Sequence, residues 1–282
     1  MGQDRRMPRK QLTRWGLPFT FVSVLVLLPL AVGRAEPGVE AGKPPLSGSH
    51  SVGLAYRGML VGGVRLEESE HVVRAGRRQS SGNWYGTREL VALIEDAARR
   101  VAAARPGLQL GVGDLSGPHG GTIEGHGSHE SGRDVDIGFF VTEQGSPRPA
   151  AGWVELTARG TPVASARPPL DRLRFDDAAN WDLVRSIVES PHAEVQYVFV
   201  ASWLEQRLLR EAARRGEEAS LVERAAHVML QPRNATPHAD HFHVRIYCPE
   251  DDRPMCVDVA PFWPWTRRGR EEAEAAAAVA RR

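Results

Sequence analysis

Two stretches of this 282-residue chain concentrate the side chains that can do chemistry. Gly125 to Gly138 carries His126, His129, Asp134 and Asp136, and His238 to Ile246 carries His238, Asp240, His241, His243 and Arg245. Five of the ten histidines fall in these two runs, which is why we read them as one site. Imidazoles and carboxylates are the donors of a catalytic zinc site, where three come from the protein and a further position stays open to water. Zinc lowers the pKa of such a water toward neutrality and polarises a carbonyl, which is the chemistry of hydrolysis. Other divalent ions accept the same donors. The competing reading is a set of hydrogen-bonded structural histidines.

Particular elements must bring these residues together. His241 to Tyr247 alternates as a strand does, and alternate side chains on a strand share a face. His241, His243 and Arg245 therefore point one way, while Phe242, Val244 and Ile246 enter the core. His129 and Asp136 lie seven residues apart, a gap that neither a helix nor a single strand closes. It demands a loop bent at Gly132, with Asp136 on an incoming strand beside Val135 and Ile137. Asp134 shares the face of Asp136 if that strand starts early.

Around them, Thr87 caps a helix whose Leu90, Leu93, Ile94, Ala97, Ala98 and Val101 recur at helical spacing, ending at Pro106-Gly107. Leu108 to Val112 reads as a strand, Gly113 to Gly132 as a Gly-rich loop, and Val135 to Val141 as a strand. Thr142 to Leu170, with five prolines, reads as a long loop of the kind that often rims a site. Asn180 is the expected cap of a second helix; Val195 to Val200 is a strand, and Trp203 to Arg214 and Leu221 to Met229 are helices. Strands and helices mix without regular βαβ alternation. The fold class is therefore α+β, a central, largely antiparallel sheet with flanking helices and the metal site at the sheet face.

Composition sets the outer bounds. Hydrophobic residues make up 41% and charged residues 25%, as in an ordinary globular chain. The formal charge is +1, but the first 35 residues hold six bases and one acid; the remainder has 30 bases against 34 acids. That remainder offers no general attraction to nucleic acid. Arg5 to Arg14 is a basic stretch, Leu17 to Val32 an apolar run, and Gly33-Arg34-Ala35 a small-residue cleavage point, the pattern of a signal peptide over residues 1–35. The apolar run is short for a bilayer span and broken by Pro18 and Pro29, so no stable membrane span is expected after cleavage. Residues 36–57 read as a linker or extended arm, 58–265 as the catalytic domain and 266–282 as a charged, Ala-rich helical tail. Cys248 and Cys256 are the two cysteines, and in an exported chain they read as a structural disulfide.

Gly113-Asp114-Leu115-Ser116, Ser128-His129 with Asp136 seven later, and His238-x-x-His241-x-His243-Val244-Arg245 resemble the penicillin-insensitive murein endopeptidases. These belong to a wider group of zinc peptidases with lysostaphin-type, D-alanyl-D-alanine and hedgehog-type domains. The resemblance runs from about Gly58 to Cys248 and includes Ser69-Glu70-His71 and Trp84-Tyr85-Gly86. It implies one zinc per chain held by His129, Asp136 and His243. It implies that His241 handles the water or stabilises the tetrahedral intermediate, with His238 beside it on the catalytic side. His126 then borders the metal and Asp114 supports it from behind. The implied partner is peptidoglycan, whose D-alanyl to diaminopimelyl cross-links a zinc-activated water would hydrolyse in the periplasm. Alternatives are a D,D- or L,D-carboxypeptidase trimming stem peptides and a non-catalytic, metal-stabilised wall-binding domain.

Asp240 departs from the pattern of the D-alanyl-D-alanine group, where a carboxylate three residues before the last ligand is the general base. An ideal strand turns Asp240 away from His243, so His241 ranks ahead of it as proton carrier. Arg245 holds either a substrate carboxylate or a salt bridge to Asp134 or Glu130. Trp84 and Tyr85 either line the cleft or pack locally. His71, His119, His192 and His227 are read as outside the site.

Overall fold

The computed structural model describes residues 48–76, 82–148, 153–233 and 235–281. The signal segment expected over 1–35 lies outside these residues. The chain opens with β1 (His50–Leu54), β2 (Arg57–Val61), β3 (Val64–Arg65), β4 (Val72–Arg74) and β5 (Tyr85–Gly86), then α1 (Arg88–Ala104) and β6 (Leu110–Val112). β7 (Asp134–Gly138), β8 (Val141–Glu143), β9 (Ser146–Arg148) and β10 (Leu173–Phe175) follow, then α2 (Asp177–Val188), β11 (Val195–Phe199), α3 (Ser202–Arg215) and α4 (Ala219–Val228). β12 (Met229–Leu230), β13 (His241–Ile246) and α5 (Arg267–Ala280) complete it.

Six strands form the central sheet in the order β12-β11-β13-β7-β6-β4. The three inner pairings, β11–β13, β13–β7 and β7–β6, are antiparallel; the two outer ones are parallel. The expected α+β class with a largely antiparallel centre is what the chain adopts. One sheet face carries Val135, Ile137, Phe242, Val244 and Ile246, all buried in one apolar core with α1, α2 and α4. The other face carries the polar residues of the two motif stretches.

Helix α1 forms for the reasons its sequence states. Thr87 Oγ1 accepts from the Leu90 amide at 3.3 Å, and seven apolar side chains from Leu90 to Val101 are buried. Each Leu or Ile so buried contributes about 1.5–3 kcal/mol. Helix α2 corrects the sequence reading at its start. Asp176, not Asn180, is the cap, its Oδ1 accepting from Ala179 N at 3.0 Å. Asn180 is fully buried one turn inside, where its Oδ1 accepts from Phe140 N at 2.9 Å and its amide donates to Phe140 O at 2.7 Å. An amide in the helix interior thus replaces a missing strand partner just after β7.

Two further readings shift. β1 lies inside the stretch read as linker or extended arm and pairs with β2 along its whole length. It is tied down by Asp252, which accepts from Ser51 N at 2.7 Å and meets His50 Nδ1 at 2.7 Å. Asp252 sits inside the loop closed by the Cys248–Cys256 disulfide, which forms as expected. The 142–170 segment is not simply a loop, because β8 and β9 pair at its start and β10, just after it, pairs with β8 to complete a small antiparallel sheet. The C-terminal tail is helical, as read, and mostly exposed. Among the described residues no helix is long and apolar enough to cross a membrane.

Candidate metal centre

Two strands, β7 and β13, build the site by register. Arg245 faces Asp134, His243 faces Asp136, and His241 faces Gly138 across the antiparallel pair. The pleat sends these side chains to one face. In the first rung Arg245 Nε donates to Asp134 Oδ1 at 2.6 Å. In the second, His243 Nδ1 stands 3.3 Å from Asp136 Oδ1, while His243 Nε2 reaches Asp134 Oδ1 at 2.8 Å. Asp134 only accepts, so Nε2 donates in that bond, and in the neutral ring this tautomer turns the Nδ1 lone pair toward Asp136. Arg245 makes the bridge to Asp134 and also lines the cleft.

His129 arrives from the loop. Its φ is +73°, uncommon for a residue with a Cβ, and Gly132 at +74° makes the anticipated bend. Ser116 pins both turns: its hydroxyl donates to His129 O at 2.5 Å and accepts from Gly132 N at 2.9 Å. The imidazole is oriented by Nδ1 donating to Leu115 O at 2.8 Å. That leaves Nε2 unprotonated in the neutral ring, 3.3 Å from Asp136 Oδ1. Strained backbone held by its surroundings is characteristic of functional positions.

The remaining imidazoles close around Asp136. His126 Nδ1 is 3.6 Å from Asp136 Oδ2, and its Nε2 is 3.1 Å from Asp114 Oδ2. His241 Nε2 is 3.5 Å from Asp136 Oδ1, and its Nδ1 is 2.7 Å from Asp240 Oδ1. Asp240 is the hydrogen-bond partner of His241. His238 packs edge-on against His241 and His243, with ring centroids 5.0 and 5.5 Å apart.

Charge and burial oppose each other here. Burial lowers the basicity of His129, but the carboxylates of Asp136 and Asp134 outweigh it and raise its pKa to about 9. Burial would raise Asp134 and Asp136, yet both are held well below the usual carboxylate range, the first chiefly by Arg245 and His243, the second by His129 and His241. His238 falls to about 3, through burial and then the neighbouring His243 and His241. Three buried atoms, His129 Nε2, Asp136 Oδ1 and His238 Nδ1, have no hydrogen-bond partner among the described residues. An unsatisfied buried polar atom costs about 1–3 kcal/mol. Two of them face each other at 3.3 Å without hydrogen-bond geometry. Once His129 gives up its proton, its Nε2 lone pair and the Asp136 carboxylate converge in a way that suits a cation. His126, His129 and Asp136 also present ligand atoms within 4.8 Å of one another, so the donor set fits a metal ion.

The histidines and Asp136 line an open cleft of about 1220 Å³, whose walls also include Tyr56, Glu124, Trp153, Tyr197, Phe199 and Arg233. Every site residue read from the sequence reaches it except the cysteines, whose disulfide braces the N-terminal strand. Trp84 packs in the core beneath Arg74, with the guanidinium 4.0 Å from its ring, and Glu130 accepts from Gly58 N at 3.3 Å. His119, His192 and His227 are exposed, and His71 lies beside Glu70. The sequence reading missed Trp153, which stacks on His241, and Phe199, whose ring lies 5.4 Å from that of His243. Periodicity gives no signal for a lone tryptophan in a proline-rich segment.

The sheet face thus gathers five histidines, two of them buried, around one carboxylate in an open cleft, a cluster that could hold a metal ion. The sequence model of the family described as penicillin-insensitive murein endopeptidase matches residues 51–273, and the chain belongs to that family. Proteins named penicillin-insensitive murein endopeptidase from Escherichia coli O1:K1 / APEC, strain SMS-3-5 / SECEC and O45:K1 strain S88 are each 29% identical to it over 245 residues. Each alignment covers 82% of this chain and 79% of the relative.

Proposed function

We propose that this protein is a zinc-dependent endopeptidase that hydrolyses D-alanyl to diaminopimelyl cross-links of peptidoglycan. One observation carries the reading. The unpartnered Nε2 of His129 and Oδ1 of Asp136 meet Nδ1 of His243 on one buried face of an open cleft. His129, Asp136 and His243 are the proposed ligands, and His126 stands close enough to fill a further position. Each histidine is held from behind, by Leu115 O, Asp134 and Asp114 respectively for His129, His243 and His126, as metal-ligating imidazoles usually are. When bound, zinc supplies Lewis acidity, polarising the scissile carbonyl and lowering the pKa of water.

The chain's own residues do the rest. Asp240 takes the Nδ1 proton of His241 in a hydrogen bond and leaves Nε2 facing the site, where it moves a proton between water and leaving amine. His238, kept neutral by burial and by its neighbours, lies against His241 on the same side. A volume of about 1220 Å³ exceeds the roughly 300–1,000 Å³ that suits a small ligand and favours an extended stem peptide. Family membership supports the substrate class. The N-terminal pattern and the disulfide support export to the periplasm, with residues 1–35 removed and the catalytic domain followed by the helical tail.

Defined muropeptides test this. Purified protein with measured zinc content is expected to split cross-linked dimers and leave uncross-linked monomers intact. Trimming of monomers in place of dimers would make it a carboxypeptidase. Tight binding to sacculi with no peptide released over long incubation would make it a binding domain.

A further inference from the structure

The three rungs between β7 and β13 are unequal. Asp134 meets Arg245 and Asp136 meets His243, but opposite His241 stands Gly138, which has no side chain to offer. The vacant place is filled from outside the sheet. The indole of Trp153 lies flat on the His241 ring, with centroids 4.5 Å apart and planes 20° from parallel. A Cβ built on Gly138 would lie 2.5 Å from Trp153 Nε1, and one on Gly113 would collide with the far edge of the same ring. A Cβ on Gly76 would come within 3.0 Å. Three glycines, one ending β7 and the others just past β6 and β4, thus clear one slot across neighbouring strands. Trp153 Nε1 is buried without a hydrogen-bond partner among the described residues, so no polar contact among them selects this position.

From this we infer that Trp153 is the positioning residue of His241, completing the third rung of the ladder and fixing the plane of its imidazole. The inference rests on the proposed proton-carrying role of His241. His241 is the first residue of β13, at the strand end, and its bond to Asp240 holds one ring atom. A ring held at one point still turns about it. Stacking removes that freedom, and the two constraints together direct Nε2 toward Asp136, 3.5 Å away. Misplacement of a reacting group by about 1 Å costs on the order of 10²-fold in rate.

The test uses the full zinc-loaded chain and reads both structure and rate. Trp153→Ala is expected to lower kcat by about 10²-fold while zinc content and urea midpoint hold. Trp153→Phe keeps an aromatic face and gives up no hydrogen bond, so it restores most of the rate. Gly138→Ala adds one methyl in the slot and is expected to reproduce the loss, yet to add nothing to Trp153→Ala. The ring protons of His241, assigned by NMR against His241→Ala, are expected to be shifted upfield by the indole. They should return toward free-histidine positions in Trp153→Ala and Gly138→Ala. Unchanged kcat in Trp153→Ala, or ring protons that do not respond to either variant, overturns the inference. If the parent protein cleaves no cross-link, the proposed reaction fails, while the NMR shifts still decide whether Trp153 sets the His241 ring.

Discussion

Asp134→Asn is the most informative single change, because Asp134 holds the ladder without facing the cleft. Its side chain is fully buried and accepts from Arg245 Nε at 2.6 Å, His243 Nε2 at 2.8 Å and His129 N at 3.3 Å. Removing one partner of a buried ion pair costs about 3–5 kcal/mol, because the other charge, here Arg245, is left unpaired. Urea unfolding of the metal-free protein at neutral pH should show a loss of that size. The carboxylate also orients His243, and losing such support lowers metal affinity about 10- to 100-fold, or about 1.4–2.7 kcal/mol. Zinc titration calorimetry reads that part separately. The sign with pH follows from the carboxyl being held below its usual range. Its contribution is complete above the unfolded carboxylate pKa of about 4 and disappears as pH falls through the native value. The stability gap between parent and variant should therefore narrow in acid. Asp134→Leu combined with Arg245→Met should recover much of the stability but not the zinc affinity. An Asp134→Asn protein with the parent's urea midpoint and the parent's zinc affinity would refute the reasoning.

Other consequences are as direct. His129, with its pKa raised to about 9 in the metal-free protein, must lose a proton to bind a metal. Zinc binding near neutral pH should release about one proton from this site, and affinity should rise with pH until about 9, as calorimetry in buffers of different ionisation enthalpy will show. The same residue stabilises the metal-free fold below about pH 6.5, an effect lost as pH rises through about 9. Asn180→Leu strips Phe140 N of its partner and leaves Phe140 O only the Asp176 amide, and should cost about 1–3 kcal/mol for the unpaired N–H, measured by urea unfolding. Replacing Cys248 and Cys256 by serine opens a loop of sequence separation 8, worth about 2–3 kcal/mol, and should raise hydrogen exchange in β1, which Asp252 tethers.

Much of the site was legible because strands encode it twice. The alternation of His241, His243 and Arg245 with Phe242, Val244 and Ile246 gave their faces, and Asp134 and Asp136 followed by the same period. The bend at Gly132 was readable from the gap it had to close. Pairings between distant strands were not readable. That Asp134 meets both His243 and Arg245 depends on the register of two strands about a hundred residues apart, which no local pattern states. Asn180 was misread as a cap because Asn favours that position, and its tertiary bond to Phe140 outweighed the local preference. Trp153 escaped notice because its place is set by three absent side chains, at Gly76, Gly113 and Gly138. The 2.7 Å bond that joins His241 to Asp240 was not readable either, since strand alternation turns Asp240 the other way.

The most direct measurement is mass analysis of the muropeptides released from purified sacculi by the parent protein, by the chelated protein before and after zinc is restored, and by His129→Ala. Cleaved D-alanyl to diaminopimelyl cross-links are expected from the parent and the zinc-restored protein, and none from the chelated protein or from His129→Ala. A His129→Ala protein that still binds one zinc and releases the same products at the parental rate would contradict the proposed metal site.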